Sequence, residues 1–390
     1  VKAGIHIVCD KPLTYTLDTC PVRLRACWAR VNDNIIDYET VQAAVDLANE
    51  GDTVKVAGHC TGISAREGVT QVVYVSKTVT IQGGYTSTNW TTPDPEANPT
   101  TLDAQGRGRV LYISGDVNPT IEGLRITGGD SDGLGGGWSE SDAGGGIYIV
   151  TATATLSGCQ VFTNTSQWTG GGVYVYQSDA VLRDNLVRGN TAYIGGGVCL
   201  YESAASLTGN TIQTNTAKYS MGGGAAGGGV YLYASDATLR NNTIRDNAAE
   251  LHGGGVYLRQ SGGTLERNTI FDNRASMYGG GLTVSSSDVT LNGNVIRNNA
   301  AEYGGGASLA GGTDSTGTLV NNVVTDNHAG AVGSGLYLQG SFDLLHTTIA
   351  RGSGGSAFYV AGDSNVALSN TILVSHSVGI SVTGGSTVTV

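Results

Sequence analysis

The sequence has few charged residues, and the residues that interrupt strands are confined to its beginning. Charged residues make up 14% of the chain, and its six prolines all precede residue 120. The long stretch that follows is therefore free of residues that break a β ladder. No run approaches the ~18 consecutive apolar residues of a membrane-spanning helix, so no transmembrane segment is predicted.

Positive charge is scarce as well, which excludes one class of partner. The formal net charge is −11, and Lys218 is the only lysine after residue 120. Such a chain repels a phosphate backbone instead of neutralising it, so we expect no nucleic-acid partner. The sequence opens at Val1 without the charged and apolar regions of a signal peptide, and we expect a processed or partial chain.

Four of the six cysteines fall in the first 60 residues. Cys9, Cys20, Cys27 and Cys60 lack the close paired spacing of zinc ligands. Disulfides are therefore favoured, and they indicate an oxidising, exported location. We favour Cys9 with Cys20 and Cys27 with Cys60, because each pair flanks one compact apolar segment. Other pairings, and thiols that stay reduced, remain open.

A repeated motif organises the chain after about residue 120. Three glycines precede a short strand whose first residue is Ile147, Val173, Val198, Val230, Val256, Leu282 or Ala307, with weaker copies at Leu336 and Ala357. A unit of the form Leu-x-x-Asn-x-(Ile/Val)-x-x-Asn follows in phase. Most steps are 25 or 26 residues long, and such a period predicts a solenoid.

Each repeat contains three short apolar runs, which predict one turn of three strands. The first and third positions of the first run are aliphatic and should face the core, whereas the second and fourth should face outward. Parallel strands connected in this way wind right-handed. We therefore predict an all-β, right-handed parallel β-helix with three sheets.

One column of asparagines is expected to connect successive turns. Corresponding residues of a stacked coil lie about 4.8 Å apart, so side-chain amides can bond along the axis, and asparagine tolerates a left-handed backbone. The column consists of Asn185, Asn210, Asn242, Asn268, Asn294 and Asn322. Cys159 takes the same place at the start of the column, and we interpret it as a buried cap of the ladder.

Three regions are expected along the chain: an N-terminal extension (1–36), a cap with the first turns (37–115) and the repeat coil (116–390). The extension is predicted to form a disulfide-bonded hairpin outside the coil. An amphipathic helix is expected from Tyr38 to Asn49, with Asp37 as its N-cap, covering the apolar end of the coil. Residues 86–108 are expected to be an irregular excursion.

The first turns resemble a known class of bacterial protein. The motifs are Val-Gln-Ala-Ala-Val-Asp at 41–46, Gly-Asp-Thr-Val-Lys-Val at 51–56, Val-Thr-Ile-Gln-Gly-Gly-Tyr at 79–85 and Ile-Glu-Gly-Leu-Arg-Ile at 121–126. They resemble the capped N terminus of bacterial pectin-lyase-like repeat proteins. The later repeats resemble, more loosely, those of chlamydial polymorphic outer-membrane proteins. The resemblance implies an exported bacterial surface protein, although the fold also hosts polysaccharide lyases and glycosidases.

The unusual outward feature of the repeats is aromatic. The second strand position reads Tyr148, Tyr174, Cys199, Tyr231, Tyr257, and the fourth reads Val150, Tyr176, Tyr201, Tyr233, Arg259. Both positions are expected on the solvent face, where the tyrosines would form a flat strip that binds glycans by stacking and hydrogen bonding. Cys199 would then be an exposed thiol. The alternative is that the tyrosines only stack on one another and stabilise the sheet.

The acidic residues do not converge as catalysis requires. Lyases of this fold need acids with an arginine or lysine on one face, and glycosidases need paired carboxylates, whereas the acids here are spread along the coil. Asp179, Asp236 and Asp288 are interpreted as side-chain-to-backbone turns, with calcium between turns as the alternative. We interpret Asp246, Asp272 and Asp326 as a solvated, partly charge-paired row. We expect no catalysis and no required cofactor.

These observations favour a non-catalytic extracellular scaffold or adhesive protein, with surface glycans or further copies of itself as partners. A polysaccharide-binding or polysaccharide-degrading protein is the alternative. Residues 386–390 alternate like a strand without a following cap, so an uncovered edge is expected there. Residues 1–36 are the expected donor of a strand to that edge, which would join copies head-to-tail into a filament. A longer monomer that covers the edge itself is the alternative.

Overall fold

The chain winds as a parallel β-solenoid, as the repeat predicts. The computed structural model describes residues 26–66, 68–137, 140–218, 224–310 and 315–390. Within these ranges nearly all elements are short strands, and strands of successive repeats pair in parallel and in register. The pair Cys9 and Cys20, and most of the predicted N-terminal hairpin, lie outside the described residues.

Sheet 1 contains the strand that follows each triple glycine. It has 13 strands, of which the first is antiparallel to its neighbour and the rest run parallel, one from each turn. They are Ser64–Arg66, Val69–Val75, Arg109–Ser114, Ile147–Val150, Val173–Tyr176, Val198–Tyr201, Val230–Tyr233, Val256–Arg259, Leu282–Ser285, Ala307–Ala310, Leu336–Gln339, Phe358–Val360 and Ile380–Val382.

Sheet 2 has 25 strands in two columns. The columns are joined because the long strand Thr53–Thr61 pairs with Thr80–Tyr85 of one column and with Thr100–Asp103 of the other. Column 2a contains Cys27–Val31, Thr53–Thr61, Thr80–Tyr85, Thr120–Glu122, Thr155–Ser157, Val181–Arg183, Ser206–Thr208, Ala237–Arg240, Gly263–Glu266, Asp288–Asn292, Thr316–Val320, Ser341–Leu345, Asn365–Ser369 and Thr387–Thr389. Column 2b contains Thr100–Asp103, Leu124–Thr127, Gln160–Phe162, Leu186–Arg188, Thr211–Gln213, Thr243–Arg245, Thr269–Phe271, Val295–Arg297, Val323–Thr325, Thr348–Ala350 and Ile372–Val374.

Sheet 3 is an element that the sequence analysis missed. Its six strands are Thr191–Ala192, Thr216–Ala217, Ala248–Ala249, Arg274–Ala275, Ala300–Tyr303 and His328–Val332. The three strands predicted per repeat are those of sheet 1 and of columns 2a and 2b. Most strands of sheet 3 have only two residues, too few to show a periodic pattern in the sequence.

The interior is filled by columns of aliphatic side chains. In one central turn Val230, Leu232, Leu239 and Ile244 are each 0% exposed. The register stacks every one of them on a similar residue of the next turn, as Ile244 stacks on Ile270. The predicted inward positions are therefore confirmed.

Two columns of asparagine side chains connect the turns. In the predicted column, Asn242 Nδ2 donates to Asn268 Oδ1 at 3.0 Å and to the Leu207 carbonyl at 2.8 Å. Its Oδ1 accepts from the backbone and side-chain N–H groups of Asn210. The ladder prediction is thus confirmed. A second ladder, which the sequence analysis did not identify, has the same bonds through Asn164, Asn190, Asn215, Asn247, Asn273, Asn299 and Asn327.

The left-handed backbone belongs to the residue before each ladder asparagine, which corrects our expectation. Asn241 (φ 53°) precedes Asn242 in the first ladder, and Asp246 (φ 56°) precedes Asn247 in the second. Glycine is required in the triple-glycine motif for a steric reason. A Cβ at Gly228 would collide with the backbone carbonyls of Ala248 and Gly254.

The predicted helix exists but is shorter and has a different cap. It spans Val41–Leu47, and the Thr40 side chain accepts from the backbone N–H of Ala43 at 3.1 Å. Asp37, the expected cap, instead accepts a hydrogen bond from Arg30 Nε at 2.5 Å. The apolar stripe that begins at Val41 is buried in the main core. No helix in the described part of the chain has the length and hydropathy needed to cross a membrane.

The region of residues 86–108 is less irregular than expected. It contains the strand Thr100–Asp103, which pairs in parallel with Thr53–Thr61 and with Leu124–Thr127 and so belongs to the coil. The excursion is therefore limited to the residues before Thr100. The Pro-rich composition of 93–99 indicates an irregular segment, and the four strand residues that follow it are too few to show a periodic pattern of their own.

Cys27 and Cys60 form a disulfide, the pairing that the sequence analysis favours. The bond joins the strand Cys27–Val31 to Thr53–Thr61, which pair antiparallel. Cys159 is a buried free thiol whose backbone N–H donates to Asn185 Oδ1 at 2.9 Å. It therefore stands at the start of the first ladder, as predicted.

We expect Asn242→Leu to destabilise the coil. The change removes bonding partners from the Leu207 carbonyl and from Asn210, and each buried polar group left unsatisfied costs about 1–3 kcal/mol. Denaturant unfolding measures the loss, with Asn292→Ala, a half-exposed residue of column 2a, as control. Equal unfolding midpoints for the two variants would contradict a stabilising ladder.

Candidate functional site

Two rows of side chains run along the outer face of sheet 1. The second-position row contains, in register, Tyr74, Tyr112, Tyr148, Tyr174, Cys199, Tyr231, Tyr257, Thr283, Ser308, Tyr337 and Tyr359. The fourth-position row contains Ser114, Val150, Tyr176, Tyr201, Tyr233, Arg259 and Ser285. Both rows point away from the aliphatic core, as the alternation predicts.

The second-position row is buried, which contradicts the expected solvent-exposed strip. Tyr148, Tyr174, Tyr231 and Tyr257 are 3%, 0%, 4% and 9% exposed, and Cys199 is 0% exposed. The predicted exposed thiol is therefore wrong as well. These residues form a hydrophobic cluster of their own, outside the main core.

The cover over this row is supplied by the residues that precede each triple glycine. They pair from turn to turn and form what we name the turn wall, which contains Ala143, Thr169, Ile194, Ala226, His252, Tyr278 and Tyr303. Alternation along a strand determines which face of a sheet a residue occupies. It does not determine whether a neighbouring turn folds over that face, and this is why the expected exposure was wrong.

The tyrosines of the fourth-position row are half-buried and contact one another. Tyr201 and Tyr233 stack with their ring centroids 4.7 Å apart, and Tyr176 meets Tyr201 edge to face at 5.7 Å. The mutual stacking expected in the alternative interpretation is therefore present. Parts of these three rings remain open to solvent, so stacking and ligand binding are compatible.

A groove of about 650 Å³ opens between the turn wall and the fourth-position row. Trp168 and Tyr193 belong to the turn-wall side and pack edge to face, with their ring centroids 5.5 Å apart. The lining residues are Glu140, Ser141, Trp168, Thr169, Tyr193, Ile194, Tyr201, Tyr231, Tyr233 and Arg259. The structure thus brings Tyr201, Tyr231 and Tyr233 together with aromatic residues that the sequence analysis did not select.

Arg259 supplies the positive charge of the groove. Its guanidinium lies 5.8 Å from the centroid of the Tyr233 ring and close to the Tyr231 hydroxyl. None of the ion pairs formed among the described residues involves Arg259. Burial raises the pKa of Tyr201 to about 12, so its hydroxyl remains protonated at neutral pH and can donate a hydrogen bond.

Arg109 holds the loop that contributes Glu140 to the groove. This arginine is 0% exposed; its Nε donates to the Ala143 carbonyl at 2.8 Å and its Nη2 to the Gly135 carbonyl at 2.5 Å. The Tyr148 hydroxyl adds a bond to the Gly136 carbonyl in the same loop. Tyr148 therefore helps to fix this loop.

The sequence contained one usable signal for the residues that were missed. Trp168 and Tyr193 each stand two residues before a triple glycine, so they share one place in the repeat. An alignment that included the turns would have placed both aromatic rings beside the tyrosine rows. No comparable signal identifies Arg109, because its long-range bonds depend on the Gly-rich loop at 128–137.

The acidic columns have structural roles. Asp179, Asp236 and Asp288 each accept a hydrogen bond from a backbone N–H, as expected, but the donor belongs to the next turn of the coil and not to the local turn that was predicted. Asp246 and Asp326 are ion-paired with arginines at 2.6 and 2.7 Å. Within the described ranges, no cluster of three or more His, Cys, Asp or Glu side chains could hold a metal ion.

Comparison with known proteins identifies the family. The model of the right handed beta helix region matches residues 72–228 and 223–343, which is more than half of the chain. The chain belongs to this family. No curated protein matches the sequence at a significant level, and the looser resemblance to chlamydial repeats receives no support from these comparisons.

Solved structures of this β-helix type include proteins with different roles. A mutant of the periplasmic alginate epimerase AlgG is 13% identical, with a TM-score of 0.48 over 88% of this chain and 87% of the other. PfbA, a surface adhesin of Streptococcus pneumoniae, is 10% identical, with a TM-score of 0.38 over 86% and 87%. A tailspike mutant of E. coli bacteriophage HK620 in complex with a pentasaccharide is 12% identical, with a TM-score of 0.30 over 86% and 67%. At these scores none of the three assigns an activity to this β-helix chain.

The burial of the second-position row leads to a stability prediction. We expect Tyr231→Ala to cost about 3–5 kcal/mol and the core variant Ile244→Ala about 2–5 kcal/mol, because both leave cavities. Thr290→Ala, at an exposed position, is the control. Thermal or denaturant unfolding measures all three. A Tyr231 variant as stable as the Thr290 variant would mean that the turn wall does not cover the row in solution.

Proposed function

We propose that this β-helix is a non-catalytic, glycan-binding scaffold or adhesive protein of an exported bacterial location. The observation that carries the proposal is the groove of about 650 Å³ between Trp168 and Tyr193 on one side and Tyr201 and Tyr233 on the other. Its volume lies within the range of about 300–1,000 Å³ of ligand sites. Its residues therefore combine ring faces, hydroxyl groups and one cation in a concave surface.

The chemistry of the groove suits a sugar better than a flat apolar ligand. The apolar C–H face of a pyranose packs against an aromatic ring, and its hydroxyls need partners at the ring edge, which tyrosine provides. Tyr201 and Tyr233 present such an edge from a rigid strand. The groove residues thus need little reorganisation on binding, which lowers the cost of association.

The disulfide supports the exported location. Cys27–Cys60 joins the first two strands of the coil, and disulfides persist in oxidising compartments outside the cytosol. We further propose that the helix Val41–Leu47 caps the coil. This is supported by the burial of Val41, Ala44 and Val45 in the main core, next to the first strands.

A polysaccharide-degrading enzyme is the second candidate. It is favoured by the presence of one acid and one cation in the same groove, Glu140 and Arg259. Lyase chemistry needs a group that abstracts a proton and a cation that stabilises the resulting charge. The two candidates differ in product: a lyase or glycosidase shortens the polysaccharide, whereas a scaffold retains it unchanged.

We expect Tyr201→Ser combined with Tyr233→Ser to abolish retention on a glycan array, because the exposed ring faces are removed. The buried Tyr174 and Tyr231 are left intact so that the fold is preserved. Tyr176→Ser is the matched control, since Tyr176 belongs to the same row but does not line the groove. Circular dichroism should be unchanged in both variants.

The decisive measurement in that experiment is whether the unmodified protein binds a glycan at all. If it retains no glycan, the binding proposal is wrong and the tyrosines have only a stacking role. If it retains a polysaccharide and new reducing ends accumulate, and Glu140→Gln stops their release, the enzyme candidate replaces the scaffold.

Head-to-tail self-assembly stays a prediction. Val382 is in register with the buried Val360 yet is 44% exposed, so the last described turn presents apolar surface. We expect the full chain to form polymers in light scattering and negative-stain microscopy, and a version lacking residues 1–25 to be monomeric. This truncation keeps Cys27–Val31 and its disulfide. If both versions are monomers at high concentration, the filament prediction is wrong. If both form polymers, residues 1–25 are not the strand donor.

A further inference from the structure

The second-position row of tyrosines is interrupted at two places. Cys199 stands in register between Tyr174 and Tyr231. Further along, Thr283 and Ser308 stand between Tyr257 and Tyr337. Each interruption removes phenol rings from a row that is otherwise continuous from Tyr74 to Tyr359.

A groove opens at each interruption. The groove described above lies beside Cys199: Ile194 and Tyr201, which flank this residue in the chain, line the groove, whereas Cys199 itself is buried beneath it and does not. A second groove, of about 230 Å³, is lined by Thr283 and Ser308 themselves, together with Tyr257 and Tyr337 at the ends of the gap. The second groove is thus a place where rings are missing, and the first lies next to such a place.

The two grooves follow one another along the axis of the coil. Arg259 lines the first and Ser285 lines the second, and these two residues are in register on adjacent strands. From the strand of Cys199 to that of Thr283 the sheet advances by three strands, or about 14 Å at about 4.8 Å per strand. A ligand that extends along the coil can therefore contact both.

A buried hydroxyl without a partner is present at each interruption. Ser308 lines the second groove, is 1% exposed, and its Oγ has no hydrogen-bond partner among the described residues. Tyr174, next to Cys199 in the row, is 0% exposed and its hydroxyl is likewise unpartnered within the described ranges. Buried hydroxyls are nearly always bonded, so a ligand in the second groove would satisfy Ser308 Oγ, which the described chain leaves without a partner. Tyr174 does not line the first groove.

We propose that the two interruptions are subsites of one track for a glycan chain that lies along the coil axis, and that Arg259 between them binds an acid group of that chain. The inference rests on the proposed glycan-binding function. Arg259 is a cation without a carboxylate partner among the described residues, in a chain of net charge −11. The carboxylate of an acidic sugar would supply the negative partner that Arg259 lacks. A chain of sugars would also place one sugar ring at each interruption of the tyrosine row.

The experiment measures affinity against ligand length. Oligogalacturonates from dimer to octamer, and cello-oligosaccharides of the same lengths as the neutral series, are titrated into the full chain by calorimetry. Because two linked subsites reinforce each other, we expect the affinity of the octamer to exceed that of the dimer by about a hundredfold. We expect Arg259→Gln to remove the preference for galacturonates over the neutral series.

Two variants fill the gaps with the residue that the row already uses. Cys199→Tyr closes the first subsite, so the octamer should lose most of its affinity. Ser308→Tyr closes the second, so the octamer should bind like the dimer while the dimer is unaffected. Ser381→Tyr introduces the same ring into the same row outside both grooves and is the matched control. Circular dichroism checks that each variant is folded.

The outcomes separate the inference from the function on which it rests. If the parent protein retains no glycan on the array, the proposed function fails and this inference fails with it. If the parent binds but the octamer is no tighter than the dimer, or Ser308→Tyr leaves octamer binding unchanged, only the two-subsite track is wrong. A parent that binds the neutral series as well as the galacturonates would overturn the role of Arg259.

Discussion

The structure depends on hydrogen bonds between identical residues of successive turns. A buried asparagine amide is satisfied only if the next turn presents another amide at the same place, as Asn210 and Asn242 do at 3.0 Å. The step from Val198 to Val230 is 32 residues instead of 25 or 26, yet this bond and its counterpart from Asn215 to Asn247 are intact. The additional residues fall between Asn215 and the next triple glycine. This turn is therefore lengthened in a segment that contains no ladder asparagine.

The same stacking builds a second hydrophobic layer on the outside of the coil. Once a tyrosine occupies the second position of one turn, the turns above and below gain by presenting a ring there too, since ring contacts of about 5 Å are favourable. Tyr148 and Tyr174, 5.2 Å apart, show this arrangement. The turn wall then seals the row, and the outer face becomes a small core with its own interior. The half-buried fourth-position row is the border of that core with solvent.

Much of the fold could be predicted from the sequence because it repeats. Several features recur in many copies: the period, the inward positions of residues such as Ile244 and the first asparagine ladder. A chance pattern in one copy therefore does not mislead the prediction. Features that occur only once in the chain are harder to predict from the sequence. Thr40 and Asp37 are both suitable N-caps, and the choice depends on how the helix packs on the first strands. The predicted exposure of Tyr174 was wrong for another reason. The turn wall covers this residue, and the strand pattern does not describe the wall. The groove depends on the same wall, so it could not be predicted either.

A repeat that is too regular has no distinct binding site, because each turn presents the same surface as the next. Selectivity must therefore come from turns that depart from the pattern without breaking the ladders. On sheet 1 these departures include Cys199, Thr283 and Ser308 in one row and Arg259 in the other. All four lie on the outer face of sheet 1, where a change leaves the aliphatic interior of the coil intact, and they fall on five consecutive strands. In such a coil a missing side chain in an otherwise uniform row is as informative about function as an added one.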